Sequence, residues 1–203
     1  MNRAEQAQLT RQKLLDIALK LFSTQGYSKT SIRALARAAG LSDGILYHHF
    51  PQGKQQIFAV LLQQGVEHAF LTLSKNNLNL EQAPLLDVLN RLCELSVQLF
   101  TEHRDLLKII MRESEAMQLN EMHWISQMFE ARQQWLADVL AQRHQQGEIR
   151  EMNFLLAAQQ FMALNLQYGM SRLLNFSIGC DLSNVETRAE MLNQTLEFWA
   201  VQR

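Results

Sequence analysis

The chain has 203 residues, of which 47% are hydrophobic and 19% charged, and its formal net charge is −1 at pH 7. This balance allows a sizeable buried core and excludes a wholly disordered chain. No apolar run approaches the roughly 20 residues of a membrane span, no signal peptide is recognisable, and two cysteines, Cys93 and Cys180, exclude a disulfide framework. We therefore expect a protein of the cytoplasm without membrane contact.

The predicted secondary structure is entirely helical. Only two prolines and eight glycines interrupt long stretches rich in Leu, Ala, Gln and Glu. Helical spacing of apolar residues and capping signals predict about nine helices, at residues 6–25, 31–38, 42–49, 54–75, 84–101, 104–115, 120–146, 153–176 and 184–201.

The first three predicted helices have the arrangement of a helix-turn-helix. A long helix precedes two short ones, which are joined by a tight turn at Gly40. On the third helix, Leu46 and Phe50 are four residues apart and are expected to face the core. We assign a helix-turn-helix DNA-binding domain to residues 1–53 and a second helical domain to residues 54–203.

The opposite side of the third helix carries an unusual set of side chains. Ser42, Ile45 and His49 form one exposed line, with Gly44, Tyr47 and His48 beside it. Hydrogen-bonding rings and one apolar group suit the major groove of DNA, although an exposed helix whose rings cluster by chance is the alternative. We predict neither a metal site nor a cofactor, because adjacent helical residues do not converge on one ion.

Charge is distributed unevenly along the chain. Residues 1–54 carry eight Lys or Arg against three acids, a net charge of +5, whereas residues 55–203 carry a net charge of −6. A basic N-terminal part indicates a polyanionic partner, which supports the nucleic-acid interpretation; chance segregation of surface charge is the alternative.

Residues 14–58 resemble the DNA-binding head of the TetR/AcrR transcriptional regulators. The resemblance rests on "ALKLFSTQGY", "TSIRALARAAGLS" and "GILYHHF" followed by a lysine. It implies contacts to the DNA backbone from the start of the second helix, to the groove from the third helix, and to a phosphate from the lysine after it. The residues concerned are Thr30, Ser31, Ser42, Gly44, Ile45, Tyr47, His48, His49 and Lys54.

Two positions depart from the pattern of that family. Asp43 stands where the family often has lysine, so we interpret it as a possible specificity residue that accepts from a cytosine amine. The connection "FPQGK" is longer than the commoner Phe-x-Ser-Lys, which puts the position of Lys54 in question.

For the second domain the resemblance implies binding of a small-molecule effector and dimerisation. Methionines, aromatic rings and inward polar groups suit an apolar ligand, although they can equally be core residues. The candidates are Met111, His123, Trp124, Met128, Phe161, Met162, Asn165 and Tyr168. The acidic domain favours a neutral or cationic ligand over an anion.

The eighth and ninth predicted helices are expected to form a four-helix bundle with a second copy of the chain. A two-fold homodimer would present two heads to a palindrome in double-stranded operator DNA. The candidate interface residues are Ala158, Gly169, Leu173, Met191, Thr195, Phe198 and Trp199.

The leading hypothesis is therefore a ligand-responsive dimeric transcriptional regulator, in particular a repressor. An enzyme is disfavoured because we find no nucleophile motif, no phosphate-binding glycine loop and no metal-spaced cluster. A thiol-based redox sensor that uses Cys93 or Cys180 is the remaining alternative.

Overall fold

The structure is a computed structural model that describes residues 2–75, 82–113 and 119–201; within these, the side chains of residues 66–75 and 119–125 are not described. The described residues form nine helices, in agreement with the predicted all-α fold. They are α1 (Arg3–Gln25), α2 (Ile32–Ala39), α3 (Asp43–His49), α4 (Lys54–Lys75), α5 (Leu85–Glu102), α6 (Arg104–Glu113), α7 (Leu119–Gln145), α8 (Phe154–Leu174) and α9 (Val185–Trp199).

The chain divides into two compact units. The first comprises Met1–Leu71 with His103–Met117, and the second comprises Thr72–Glu102 with Gln118–Arg203. The first unit thus includes the beginning of α4 and all of α6 in addition to the helix-turn-helix. The boundary that we place after residue 53 stays a prediction about where the DNA-binding domain ends.

Local capping determines where the short helices begin and end. Ser31 and Ser42 precede α2 and α3 in extended conformation, and each hydroxyl oxygen accepts a backbone N–H from the first turn. Gly40 ends α2 with φ 70°, a left-handed conformation that glycine adopts without steric cost. The following Leu41 N–H returns to the Ala36 carbonyl at 2.9 Å. These bonds fix the turn between the two short helices.

A small apolar core holds the first unit together. Leu14, Leu15, Ala18 and Phe22 of α1 meet residues from four other segments that are all buried: Leu35, Ala36 and Ala39 of α2, Leu46 and Phe50 around the end of α3, Ile57 and Leu61 of α4, and Ile109 of α6. The predicted inward direction of Leu46 and Phe50 is confirmed, since both are 0% exposed.

In the second unit, α8 packs against α5 and α7, and α5 also packs against α9. Gly169 permits the close approach of α8 to α5, because a Cβ at this position would overlap the Phe100 ring. An isolated antiparallel bridge between Ile149 and Ala200 ties the segment after α7 to the end of α9. No helix in the described ranges is long and apolar enough to cross a membrane.

Candidate nucleic-acid interface

The solvent side of α3 presents the rings that the sequence pattern singles out. Ile45 is 42% and Tyr47 48% exposed, and His48 is exposed beside them. Leu46 and Phe50, on the inner side of the same seven-residue helix, are fully buried. The buried pair therefore anchors a short helix whose outer side chains are accessible to a large partner.

The small residues at the start of α2 and α3 have capping roles. The Ser31 hydroxyl oxygen accepts from the Ala34 N–H at 3.1 Å, and that of Ser42 accepts from the Ile45 N–H at 3.4 Å. Capping uses an acceptor lone pair, so each exposed hydroxyl keeps its own hydrogen for donation. The structure is thus compatible with the predicted DNA contacts of Ser31 and Ser42, which stay predictions, as does that of exposed Gly44.

The two histidines lie edge to face, with ring centroids 5.5 Å apart. Burial lowers the pKa of His49, and the neighbouring His48 and Arg11 lower it further. The Arg11 guanidinium lies 5.0 Å from the centroid of the Phe50 ring. His49 is therefore a half-buried, neutral ring at physiological pH, and His48 is the more accessible of the pair.

Asp43 has a partner within the head. Its Oδ2 lies 3.7 Å from Nε of Arg33, and the side chains are 47% and 87% exposed. An ion pair this exposed contributes little to stability. It does place a cation of α2 beside the acid of α3, which accounts for an acidic residue on an otherwise basic head. The specificity role of Asp43 stays a prediction.

Thr30 requires a correction. Its side chain is only 1% exposed, and its hydroxyl donates to the Gly26 carbonyl at 2.7 Å. The hydroxyl therefore stabilises the turn between α1 and α2 and is not exposed, so the side chain gives no support to the contact with the DNA backbone that the resemblance implies for Thr30.

Lys54 differs in a similar way from its expected role. Its Nζ donates to the carbonyls of Tyr27, Ser28 and Thr30 at 2.8, 3.4 and 3.1 Å, and lies 4.3 Å from the centroid of the Tyr27 ring. An ammonium group has three N–H donors, and these three carbonyls use them. Lys54 thus fastens the start of α4 to the α1–α2 connection, and a phosphate could bind it only by replacing these bonds.

The connection between α1 and α2 is held from a second side by α6. The buried Glu113 carboxylate accepts the Tyr27 N–H, with Oε1 3.1 Å from the nitrogen. Burial raises the pKa of the Tyr27 hydroxyl, and the Glu113 charge adds to the rise. Ser31, the N-cap of α2, lies only four residues after Tyr27. This contact therefore helps to orient the helix-turn-helix.

The "PQG" break explains the position of Lys54. Gly53 has φ 61°, and a Cβ there would lie 3.1 Å from Cδ1 of Ile32 and 3.3 Å from Cε1 of Tyr47. Both the left-handed backbone and the close approach favour glycine at this position. The turn brings α2, α3 and the start of α4 around one open surface groove, whose lining includes Ser31, Tyr47 and Lys54.

The second unit contains a partly open cavity of about 50 Å³, lined by α5, α7 and α8. We call it the α5–α8 cavity. Its wall is mostly apolar, and three polar residues interrupt it: Ser96 of α5, Arg132 of α7 and Asn165 of α8. Sequence reasoning missed Arg132, although a cation between Met128 and Leu136 on the inward stripe of a helix was an available signal.

The predicted ligand residues are distributed over several places. Met128, Met162 and Asn165 line the α5–α8 cavity. Phe161 and Tyr168 are buried without lining it, and the ring centroids of Phe161 and Trp199 are 6.4 Å apart. Met111 is exposed on α6 in the first unit, and the side chains of His123 and Trp124 lie outside the described residues. The ligand roles of Met128, Met162 and Asn165 stay predictions. The positions of Phe161, Tyr168 and Met111 give no support to the ligand roles predicted for them.

The predicted dimer residues also need correction. Ala158, Leu173 and Trp199 are 0%, 6% and 7% exposed, and Gly169 faces Phe100 of the same chain, so their surface is already covered. Met191 and Thr195 are half-buried. Phe198, by contrast, is 75% exposed. The large apolar side chains that α8, α9 and their flanking segments expose are Leu155, Leu156, Leu164, Leu166, Leu174, Phe176, Ile178, Val185, Phe198 and Val201.

Neither cysteine is prepared for redox chemistry. Burial raises the pKa of the Cys93 thiol to about 12. Burial also raises the pKa of Cys180, with further contributions from Asp181 and Glu190. Both thiols are therefore protonated at neutral pH, which disfavours the redox-sensor alternative because the thiolate is the reactive form.

Comparison with known proteins agrees with this geometry. Residues 14–61 match the N-terminal model of bacterial regulatory proteins of the tetR family. Residues 87–189, half of the chain, match the C-terminal domain of AefR-like transcriptional repressors. The chain belongs to the TetR family of transcriptional regulators, which are not enzymes. Within that family its C-terminal domain is of the AefR-like kind.

Individual curated relatives match only part of the chain. The HTH-type transcriptional regulator AcrR of Shigella flexneri is 49% identical over 55 residues, which cover 27% of this chain and 25% of that relative. Two solved structures extend over nearly the whole chain. AibR, in complex with isovaleryl coenzyme A and operator DNA, has a TM-score of 0.63 at 20% identity and covers 91% of this chain and 97% of AibR. A Saccharomonospora viridis protein in complex with choline has a TM-score of 0.69 at 22% identity. The match covers 95% of this chain and 98% of that protein. At these identities the likeness shows a shared fold.

Proposed function

We propose that this regulator represses transcription by binding a palindromic operator through α3 and is released from it by a small apolar effector. The observation that carries the proposal is the exposed row of Ile45, Tyr47 and His48 on a helix held down by Leu46 and Phe50. Ile45 can contact a thymine methyl group, and Tyr47 and His48 can donate to phosphate or base acceptors.

The electrostatics of the head support a nucleic-acid partner. Residues 1–54 have a net charge of +5, and Arg33 and Arg37 are exposed on α2 next to α3. Lysine and arginine near a duplex release its counterions, so binding should weaken steeply as salt rises. The solved AibR complex, whose fold this chain shares, contains operator DNA.

Dimerisation through α8 and α9 would supply the second head that a palindrome needs. Leu156, Leu164 and Leu174 of α8 and Phe198 of α9 place exposed apolar surface on the two helices concerned. Large exposed apolar side chains on two helices are typical of a surface that binds a protein partner, and we propose a second copy of this chain. We expect Phe198→Asp to convert the dimer to a monomer in sedimentation velocity. Asn193→Asp, at an exposed polar position of the same helix, is the control for added charge and should leave the dimer intact.

Effector release would follow from a difference in effector affinity between two conformations. The α5–α8 cavity is the candidate site, and α4 is the helix whose residues belong to both units. The AibR structure contains isovaleryl coenzyme A and that of the Saccharomonospora viridis protein contains choline, so the shared fold accommodates ligands of different charge.

Fluorescence anisotropy with labelled DNA from upstream of the gene tests the operator proposal. We expect salt-sensitive binding of a palindromic fragment, and weaker binding of a scrambled fragment of equal composition. Ile45→Ala should reduce discrimination between the two by roughly tenfold, because one lost base contact is worth about 1–3 kcal/mol. Equal loss on both fragments would exclude base reading by Ile45, and no salt-sensitive binding to any fragment would reject the operator proposal.

A further inference from the structure

The α5–α8 cavity carries polar groups whose chemistry restricts what can bind there. Asn165 is 2% exposed, and its Nδ2 donates to the Phe161 carbonyl at 3.0 Å. This bond identifies the amide nitrogen, so the other amide atom, Oδ1, is an acceptor. Oδ1 is buried and has no hydrogen-bond partner among the described residues. A buried acceptor without a partner is costly, and a donor on a bound molecule would satisfy it.

Arg132 adds a positive charge to the same wall. Its guanidinium lies 5.0 Å from the centroid of the Trp135 ring on the next turn of α7, and the side chain is half-buried. Burial lowers the pKa of Arg132 to about 10, which still leaves the group a cation at neutral pH. A guanidinium in a partly dehydrated apolar wall binds a carboxylate much more strongly than it would in water.

The remaining wall is apolar. Side chains such as Leu92, Leu99, Phe129 and Met162 surround these polar groups, and Ser96 offers a further hydroxyl. Among the residues whose side chains the structure describes, no acidic one contributes to the lining. The one charged group in the described lining is thus a cation, whereas the net charge of residues 55–203 is −6. The local chemistry of this wall favours an anionic group, in contrast to the expectation drawn from net charge.

We propose that the effector is an amphipathic carboxylic acid whose apolar chain fills the α5–α8 cavity, whose carboxylate binds Arg132, and whose hydroxyl donates to Oδ1 of Asn165. This inference rests on the proposed ligand-responsive function and specifies its ligand class. The cavity of about 50 Å³ is smaller than such a molecule, so the acid must widen it. A ligand that binds only the widened state shifts the population toward that state, as a released regulator requires.

The experiment compares probes that differ only in the head group. Full-length protein is titrated with hexanoate, octanoate and decanoate, with their 3-hydroxy acids, and with the matched alkylamines, by isothermal calorimetry and thermal shift. We expect the acids to bind and raise Tm, the 3-hydroxy acids to bind tighter than the simple acids, and the amines to bind at least tenfold more weakly. Equal binding of acids and amines, or no binding of any acid, would overturn the proposal.

Variants assign the two polar contacts. Arg132→Met should weaken acid binding by about tenfold or more, whereas Arg132→Lys should keep most of it. Arg172→Met, on the exposed side of α8 and outside the lining, changes the net charge equally and should bind acids as the wild type does. Asn165→Leu should abolish only the advantage of the 3-hydroxy acids. Unchanged acid affinity in Arg132→Met would also contradict the assignment.

The same titrations on the DNA complex separate this inference from the proposed function. If the acids bind but do not release operator DNA, the site is as proposed and the effector role is rejected. If another class of molecule releases DNA and the acids do not bind, ligand-responsive regulation stands and the carboxylic-acid class is rejected.

Discussion

The head and the second unit carry their proposed binding groups in opposite ways. On α3, Ile45, Tyr47 and His48 project into solvent from a helix whose inner side is completely buried. In the α5–α8 cavity, Arg132 and Asn165 lie within an apolar wall around a space of about 50 Å³. The head can therefore meet DNA without repacking its core, whereas the cavity must repack to admit a ligand. The outer side of α3 is thus a preformed recognition surface, whereas ligand binding in the α5–α8 cavity requires a conformational change.

Removing the buried support of α3 is the strongest test of the preformed surface. Leu46→Ala should lower the free energy of unfolding by about 2–5 kcal/mol, because it leaves a cavity in the head core. Ile45→Ala, one residue away on the solvent side, should change it by no more than about 0.5 kcal/mol. Urea denaturation of both variants measures the difference. Similar destabilisation by the two substitutions would contradict the division of α3 into a buried and a recognition side.

Glycine substitution tests the groove around Lys54. Gly53→Ala should be destabilised by more than Gly40→Ala, although both glycines have left-handed backbone, at φ 61° and 70°. The backbone strain alone costs roughly 1–2 kcal/mol in each variant. Of these two glycines, only Gly53 has neighbours that a Cβ would crowd, namely Ile32 and Tyr47. Thermal and urea unfolding of the pair reports the difference; a larger loss for Gly40→Ala would refute the close packing.

Lys54→Met separates positioning from phosphate binding. The substitution keeps the aliphatic stem but removes three hydrogen bonds to backbone carbonyls, which should cost about 1–3 kcal/mol of stability. If Lys54 acts by holding the α1–α2 connection, DNA affinity should fall while the slope of log K against log salt stays unchanged. A slope smaller by about one unit would instead identify Lys54 as a phosphate contact.

The smallest expected effect concerns acid sensitivity of the head. The pKa of His49 lies below its ordinary value of about 6.5, so the unfolded chain binds this proton more readily than the folded chain. Its contribution to stability is therefore complete above pH 6.5 and is lost as the pH falls below that value. His49→Gln should flatten the stability profile between pH 7 and 5 in urea titrations. An unchanged profile would show that His49 is not the responsible group.

The head was largely predictable because its signals are local. The serine caps, the turn at Gly40 and the inward pair Leu46 and Phe50 each depend on residues within one or two helical turns. The role of Lys54 was not predictable in this way. The bonds of Lys54 join residues 24 to 27 positions apart, and sequence spacing does not indicate which carbonyls a long side chain will reach.

The second unit was predictable as a set of helices but not as a set of partners. Small residues such as Ala158 and Gly169 correctly indicate close helix packing, but the element that approaches Gly169 is Phe100 of the same chain. Helical periodicity identifies which side of a helix is covered and not which surface covers it. Charged residues on inward stripes, Glu113 of α6 and Arg132 of α7, were visible signals of buried polar contacts whose partners the pattern could not name.

The contact of Gly169 with Phe100 has a consequence for how effector preference can diverge among related regulators. Phe100 also lines the α5–α8 cavity, so a methyl group at position 169 would tilt the ring and reshape the wall without touching any bound molecule. The shape of the cavity wall therefore depends on a glycine that does not line the cavity. One nucleotide change at codon 169 is enough to turn glycine into alanine, so this shape can change in a single mutational step while every lining residue stays the same.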